Sequence, residues 1–173
     1  IRRPAVAGMF YPGNAERLRN DVQMYLSNVD SKLNADKIFG IVSPHAGYVY
    51  SGQTAAHGFK LIEDGNYDKV IVISPSHRIY FAGSSIYNGD AYLTPLGEIE
   101  VDKELRKKLT DDSKTIFSGP EGHSQEHALE VQLPFLQVAL GEFTLVPIVI
   151  GDQSSVFVYE LAEKIAEVTD DKT

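Results

Sequence analysis

The chain has 173 residues, of which 24 are acidic and 16 basic, giving a net charge of −8. This balance argues against a nucleic-acid partner, because phosphate contacts need clustered lysine and arginine. With no cysteine, the sequence offers neither a disulfide nor a thiolate metal ligand, and we expect a reducing, cytoplasmic setting. No apolar run is long enough to cross a membrane. The length predicts a single domain over residues 1–173.

The first half of the sequence alternates helical and extended patterns. Asn14 marks a helix start, and apolar residues follow it at helical spacing. Two β-branched apolar runs, residues 38–42 and 69–74, have the length of buried strands. Each run ends at a Ser-Pro pair, and proline cannot donate to a sheet ladder. A helix over 52–63 joins the two runs, so the three elements predict a right-handed parallel crossover.

The second half departs from this alternation. Residues 83–102 are rich in Tyr, Ile and Val, and the turn at 94–97 predicts a small antiparallel hairpin. The patterns then predict a helix over 102–109, a helix from about Ser124 that Pro134 kinks or restarts, a strand over 143–150 and a last helix over 154–168. We therefore predict an α/β fold, a mainly parallel sheet with helices on both faces and a small antiparallel excursion.

Two histidines directly follow the two predicted strands of the first half. His45 comes after Ser43-Pro44, and His77 comes after Ser74-Pro75-Ser76. Ligands bind at the carboxyl edge of open parallel sheets, and neutral imidazole is the commonest transition-metal ligand in proteins. The matched positions therefore predict a metal site at this edge of the sheet. The alternative is that each histidine only caps its strand.

A third histidine, His127, lies between Glu126 and Glu130 in the helix predicted from Ser124. We interpret it as a catalytic general acid or base, or as an outer-shell partner, whose protonation one of the two carboxylates tunes. Two alternatives stay open. One is a second metal pair with His123, four residues earlier, and the other is an ordinary surface helix with acidic neighbours.

Other polar residues complete the predicted pocket. Tyr48 offers a hydroxyl beside the His45 ring, and we include Ser76 and Glu126 as further pocket residues. His57 lies opposite the apolar face of its predicted helix, so we expect it to be exposed. No serine lies in a Gly-x-Ser-x-Gly elbow, and the glycines match neither dinucleotide nor phosphate loops, which predicts no nucleotide cofactor.

Six segments, in order along the chain, resemble the Memo family: AVAGMFYP (5–12), SPHAGYVYSG (43–52), SPSH (74–77), YLTPLG (92–97), EHALEVQLPFL (126–136) and VPIVIG (146–151). The resemblance implies a fold like that of class III extradiol dioxygenases, which are non-haem iron enzymes. It implies that His45 and His77 are ligands of an iron or copper ion and that His127 lines the same pocket. Family chains continue into a segment with a further ligand, so the resemblance implies that residues 1–173 are the N-terminal part of a longer Memo-like domain.

Two functions follow from these observations. The first is a non-haem, metal-dependent oxidoreductase that acts on a small molecule. The second is a non-catalytic module that binds a peptide or protein in the same pocket, with four tyrosines expected in nearby loops, Tyr48, Tyr50, Tyr87 and Tyr92. The lack of an arginine cluster argues against a phosphopeptide ligand, since Arg78 is the only candidate near the site. The resemblance implies both, because family members are described as redox proteins or as phosphotyrosine-peptide adaptors. It also implies a radical-SAM protein as a partner.

Overall fold

The computed structural model describes residues 1–30, 38–63 and 65–173. The helices in these ranges are α1 (Ala15–Ser27), α2 (Tyr48–Lys60), α3 (Lys103–Thr110), α4 (Leu133–Ala139) and α5 (Ser155–Val168), and a 3-10 helix (Glu130–Gln132) leads into α4. The strands are β1 (Lys69–Pro75), β2 (Ser84–Tyr87), β3 (Ala91–Thr94), β4 (Gly97–Glu100), β5 (Ile116–Gly119) and β6 (Thr144–Ile150). Among the described helices, none has the length and apolarity that a membrane span requires.

The main sheet of the described chain has four strands in the order β1-β6-β2-β5. β1 runs parallel to β6, with Ile71 opposite Val146, and β2 runs parallel to β5. β2 and β6 are antiparallel. β3 and β4 form a separate antiparallel hairpin around the predicted turn, with Thr94 opposite Gly97. The predicted α/β class, with a mainly parallel sheet and a small antiparallel excursion, is confirmed.

Helices cover both faces of the main sheet, as predicted. On one face α1, α2 and α4 pack around a core that includes Leu18, Phe59 and Phe135; the two phenylalanine rings stack with centroids 5.0 Å apart. On the other face α3 and α5 place Leu109 and Leu161 in a second core. The five central residues of β6 are buried between the two cores. Burial on both sides explains why this strand is apolar without alternation.

Side-chain caps and one proline set three helix starts. The Asn14 side chain accepts from the backbone N–H of Arg17 at 3.0 Å, which caps α1. Asp102 caps α3 by accepting from the backbone N–H of Leu105 at 2.8 Å. Pro134 lies in the first turn of α4, where its missing N–H breaks no hydrogen bond. The proline therefore begins a helix rather than kinking one.

The strand predicted over residues 38–42 is wrong. These residues form no regular element, and Phe39 and Val42 are exposed. The Ile38 backbone hydrogen-bonds to the Tyr67 hydroxyl through both its N–H and its carbonyl, and only part of the segment packs against the core. The predicted crossover is therefore also wrong, because β1 pairs with β6 from the far end of the described chain. A short apolar run has strand propensity, but the available pairing edge decides whether it becomes a strand.

The helix predicted from Ser124 is also wrong. The residues before the 3-10 helix form a series of turns, and they follow β5, a strand that the sequence patterns did not predict. Gly122, two residues before the predicted helix start, has a φ of +80°, so the chain enters this segment from a turn. The Glu126 carboxylate accepts the backbone N–H groups of His127 and Ala128, each at 2.9 Å. This local side-chain bonding replaces the helical hydrogen bonds.

Candidate metal centre

Three histidines from separate segments converge at one place. His45 precedes α2, His77 follows β1, and His127 lies in the turns before the 3-10 helix. One ring nitrogen from each lies within 4.8 Å of the other two. The ring centroids are 5.2 Å apart for His45 and His77 and 4.7 Å apart for His77 and His127. The structure therefore brings His127 beside the predicted pair, where the family resemblance also puts it.

The segment that carries His45 is held by hydrogen bonds to two other parts of the chain. The Gln132 side chain donates to the carbonyl of Pro44 at 3.2 Å. The backbone N–H of Tyr48 donates to the carbonyl of Phe10 at 2.7 Å. Gly47 permits this contact, because a Cβ there would lie 3.3 Å from the Phe10 carbonyl oxygen. These contacts fix the loop in place of the strand that the sequence predicted.

The loop after β1 positions His77. The backbone N–H of Ser76 donates to the carbonyl of Ile150 at 2.9 Å, which ties the loop to the end of β6. The Ser76 hydroxyl donates to the carbonyl of Ile79 at 2.6 Å and so closes the turn. The backbone N–H of His77 donates to Glu126 Oε2 at 2.7 Å. Ser76 thus acts through its turn, without a described side-chain contact to the histidine rings.

Glu126 is the buried carboxylate on which the centre is built. Its residue surface is 2% exposed, and it accepts four N–H groups: the backbone and the Nδ1 of His77, and the backbones of His127 and Ala128. Burial by itself raises the pKa of Glu126. The hydrogen bonds from Ala128 and His77 outweigh burial, so the net pKa is lowered. Glu126 is therefore an ionised acceptor at neutral pH.

The same carboxylate determines which nitrogen of His77 is available to a metal. His77 Nδ1 lies 2.9 Å from Glu126 Oε1. Because Glu126 is ionised and can only accept, the hydrogen-bond network assigns the proton to Nδ1. The lone pair then lies on Nε2. A carboxylate that orients a histidine in this way is the usual outer partner of metal-ligating imidazole.

His127 lies partly buried between the other two histidines and an aromatic ring. Its ring centroid is 5.0 Å from that of Phe10 and 5.9 Å from that of His45. Burial lowers the pKa of His127; the Glu126 charge opposes this shift, while His77, His45 and Arg78 add to it. The ring is therefore neutral at pH 7 and keeps one lone pair for a ligand.

The three nitrogens are close enough to share one metal ion once the side chains close around it. In a tetrahedral site, two nitrogens that each bind the ion at about 2.1 Å lie about 3.4 Å apart. The nitrogens of this cluster lie within 4.8 Å of one another, so the widest spacing allowed closes by about 1.4 Å on binding. Three imidazole ligands suit zinc, copper, iron or nickel better than magnesium or calcium.

Tyr48 is not a pocket residue in the structure. Its side chain is buried in the core, and its hydroxyl donates to the carbonyl of Val131 at 2.8 Å. Tyr87 and Tyr92 lie on β2 and β3 rather than in loops near the histidines. Of the four tyrosines, Tyr50 alone lines the cavity beside the centre, within the described residues. The sequence did not show which tyrosine side chains face the histidines, because the helix was predicted to begin at residue 52 and α2 begins at Tyr48.

The alternative metal pair of His123 with His127 is wrong. His123 is buried, with Nδ1 2.6 Å from the Tyr92 hydroxyl and Nε2 3.2 Å from the Ser85 carbonyl. Burial lowers the pKa of His123 to about 4. Both ring nitrogens are used within the core, so none remains for a ligand. His57 is exposed on α2, as predicted.

Sequence reasoning missed a buried ion pair behind the centre. Arg2 donates to the Glu130 carboxylate, to the carbonyl of Glu126 at 2.7 Å and to the carbonyl of His123 at 3.1 Å. Glu130 also accepts from the Tyr11 hydroxyl and from the backbone N–H groups at residues 5 and 6. Glu130 therefore anchors the N-terminal segment and does not tune His127. No local pattern links residues so far apart in sequence.

An open cavity of about 610 Å³ lies beside the centre. It is lined by Met9, Phe10, Pro44, His45, Ala46, Gly47, Tyr50 and His127. The N-terminal loop and the start of α2 form its walls, and two of the three clustered histidines reach it. The arrangement therefore offers imidazole ligands at one side of a largely apolar space.

Comparison with known proteins identifies relatives of the whole chain. The family profile described as "Memo-like protein" matches residues 2–173. The MEMO1 family protein of Thermoplasma volcanium is 38% identical, over 98% of this chain and 62% of the relative. The MEMO1 family protein of Nitrosopumilus maritimus is 36% identical, over 97% of this chain and 63% of the relative. That of Aquifex aeolicus is 44% identical, over 87% of this chain and 55% of the relative. The chain thus spans between 55% and 63% of the length of these relatives. On these matches the chain belongs to the Memo family.

Proposed function

We propose that this protein binds a transition-metal ion through His45, His77 and His127 and uses it in a redox reaction of a small molecule. The observation that carries the proposal is the buried carboxylate of Glu126, which orients one of three converging imidazoles. Such a carboxylate is the usual outer partner of a metal-ligating imidazole. We assign iron or copper on the family resemblance, and the all-imidazole set is compatible with either.

Each residue of the centre has a distinct part in this proposal. The three imidazoles hold the ion, and Glu126 keeps the His77 ring in the tautomer that exposes Nε2. A bound iron or copper ion would supply one-electron chemistry at coordination positions left open beside the three histidines. Arg2 and Glu130 fix the turn that carries Glu126 and His127. The open cavity beside His45 and His127 gives a small molecule access to the site.

His127 has a second candidate role as the general acid or base. Its side chain is 19% exposed and its Nδ1 is 3.4 Å from Glu126 Oε1, so the ring has access to both solvent and a carboxylate. A His127→Ala variant separates the two roles. Loss of bound metal supports the ligand role. Retained metal with lost turnover supports the acid–base role.

Metal content measured by mass spectrometry tests the proposal. The chain is loaded anaerobically with iron(II) or copper and compared with His45→Ala, His77→Ala and, as the matched control, His57→Ala. We expect near-stoichiometric metal in the original chain and the His57 variant, and loss in the other two. Metal-free protein after loading, or equal metal in all variants, contradicts the proposal.

The second candidate function is a non-catalytic module that binds a peptide in the same cavity. The observation that favours it is Tyr50, which is 87% exposed at the cavity wall. Aromatic side chains in such positions are frequent at protein interfaces. Calorimetry with matched phosphorylated and unphosphorylated tyrosine peptides tests this function. Binding that persists in a metal-free His77→Ala variant supports it, and absence of heat with both peptides contradicts it.

A further inference from the structure

The cavity beside the histidine centre has an apolar wall and a ligand-binding wall. Phe10, Pro44 and Ala46 contribute apolar surface, while His45 and His127 bring imidazole rings to the same space. Met9 and Tyr50 lie at its rim and are 72% and 87% exposed. Side chains so exposed add little to the core. Their apolar surface is therefore available to a ligand.

The volume and charge of the cavity restrict what fits there. Its volume of about 610 Å³ lies within the range of small-molecule sites. Among the described residues, its lining includes no carboxylate, ammonium or guanidinium group. Away from the histidines, an ionic group inside it would lose part of its hydration without gaining a charged partner. The part of a ligand that occupies this space is therefore uncharged and apolar.

The two walls are connected directly. The backbone N–H of Tyr48 donates to the Phe10 carbonyl at 2.7 Å, and the Met9 and Phe10 backbones bond to the Val6 carbonyl at 3.0 and 2.9 Å. The loop that carries Met9 is thus tied to the start of the helix that carries Tyr50. A cavity formed in this way is present before a ligand arrives, which limits the entropy lost on binding.

We propose that the ligand of this centre is a small molecule in which a metal-binding donor group is joined to an apolar body, and that Met9 and Tyr50 bind that body. The inference rests on the proposed metal site and names the class of molecule that the site takes. His45 and His127 lie at the cavity, so a donor bound near them leaves the attached apolar group facing Met9, Phe10 and Tyr50.

A homologous series of linear carboxylates tests this inference. The chain is loaded with cobalt(II), and the visible absorption of the ion reports binding of acetate, butyrate and hexanoate. All three carry the same donor, so differences in affinity come from the tail. We expect each added methylene to tighten binding about threefold to fourfold. Equal affinities for the three acids overturn the inference.

Two rim variants and one control locate the apolar contact. Met9→Ser and Tyr50→Ser are expected to flatten the length dependence while acetate affinity is unchanged. Tyr159→Ser is the matched control, because Tyr159 is 70% exposed on α5 and is not among the cavity residues. Because all three side chains are largely exposed, the variants are expected to fold. A full length dependence in both rim variants overturns the assignment of Met9 and Tyr50.

The same titrations separate this inference from the proposed function. A chain that takes no cobalt(II) overturns the proposed metal site and, with it, the donor half of the inference. A chain that binds cobalt(II) at His45 and His77 but ignores tail length overturns the inference alone. A chain that binds cobalt(II) and binds the longer carboxylates more tightly supports both the proposed metal site and the inference.

Discussion

Glu126 and His77 contact each other twice although 49 residues separate them in sequence. The His77 backbone N–H donates to Oε2 at 2.7 Å, and its ring Nδ1 lies 2.9 Å from Oε1. The first contact fixes where the loop after β1 lies, and the second fixes how the ring is turned. One buried carboxylate thus controls both the position and the tautomer of a candidate metal ligand.

We expect Glu126→Gln to weaken metal binding by about 10- to 100-fold. Glutamine has one acceptor oxygen, and its amide would face N–H groups that now donate to the carboxylate. Calorimetric titration with zinc(II) measures the change. Glu163→Gln, an exposed change on α5, is the control. Unaltered affinity in the Glu126 variant would show that the carboxylate does not orient His77.

Stability is expected to fall with acidification because of His123. Burial lowers the pKa of His123 to about 4 from an ordinary value of 6.5, so the unfolded chain binds a proton at a higher pH than the folded chain. The contribution of neutral His123 to the free energy of unfolding is therefore complete above pH 6.5 and is lost as the pH falls toward 4. Between pH 7.5 and 5 the loss from this group is about 2 kcal/mol.

Urea unfolding at the two pH values measures this contribution. Between pH 7.5 and 5, the free energy of unfolding of the His123→Gln variant should fall by about 2 kcal/mol less than that of the original chain. The comparison uses the change with pH in each protein, so a constant effect of the substitution on stability cancels. Identical pH dependence in the two proteins would contradict a buried, neutral His123.

Arg2→Met is expected to destabilise the fold by about 3 to 5 kcal/mol. The substitution leaves the Glu130 carboxylate, which is fully buried, without its opposite charge. The double variant with Glu130→Gln should recover part of the loss, because the uncompensated charge is gone. Urea unfolding of Arg2→Met, Glu130→Gln and the double variant gives the coupling free energy between the two side chains. A loss below about 1 kcal/mol in Arg2→Met would contradict a structural ion pair.

Tyr48→Phe is expected to lower stability by about 1 to 3 kcal/mol while metal affinity stays the same. The hydroxyl donates to the Val131 carbonyl within the core, and its removal leaves that acceptor without this bond. Thermal unfolding and zinc(II) titration of the same samples measure the two quantities. Weaker metal binding at unchanged stability would instead return Tyr48 to the pocket.

The local structure supports the argument for only one of the two paired histidines. The prediction for His45 depends on a strand before it, yet residues 38–42 form no strand. The residue still reaches the centre, since hydrogen bonds from Gln132 and to Phe10 hold its loop. The prediction for His77 depends on a strand that the structure contains, because β1 ends at Pro75. Both alternatives for His127 need a helix, and the Glu126 carboxylate accepts backbone N–H groups at the place where that helix would begin.

The sequence by itself determined the features that depend on neighbouring residues. Caps at Asn14 and Asp102, the turn at 94–97 and the apolar run of β6 are local signals, and each produced the element that it predicted. The family resemblance implies that His127 lines the same pocket as His45 and His77. Only the tertiary structure decided how closely the three rings approach, that Glu126 orients His77 and that Arg2 pairs with Glu130. These contacts join residues that are up to 128 positions apart. Their geometry follows from packing of the whole chain, because burial makes an unpaired charge or donor costly wherever its partner lies in sequence.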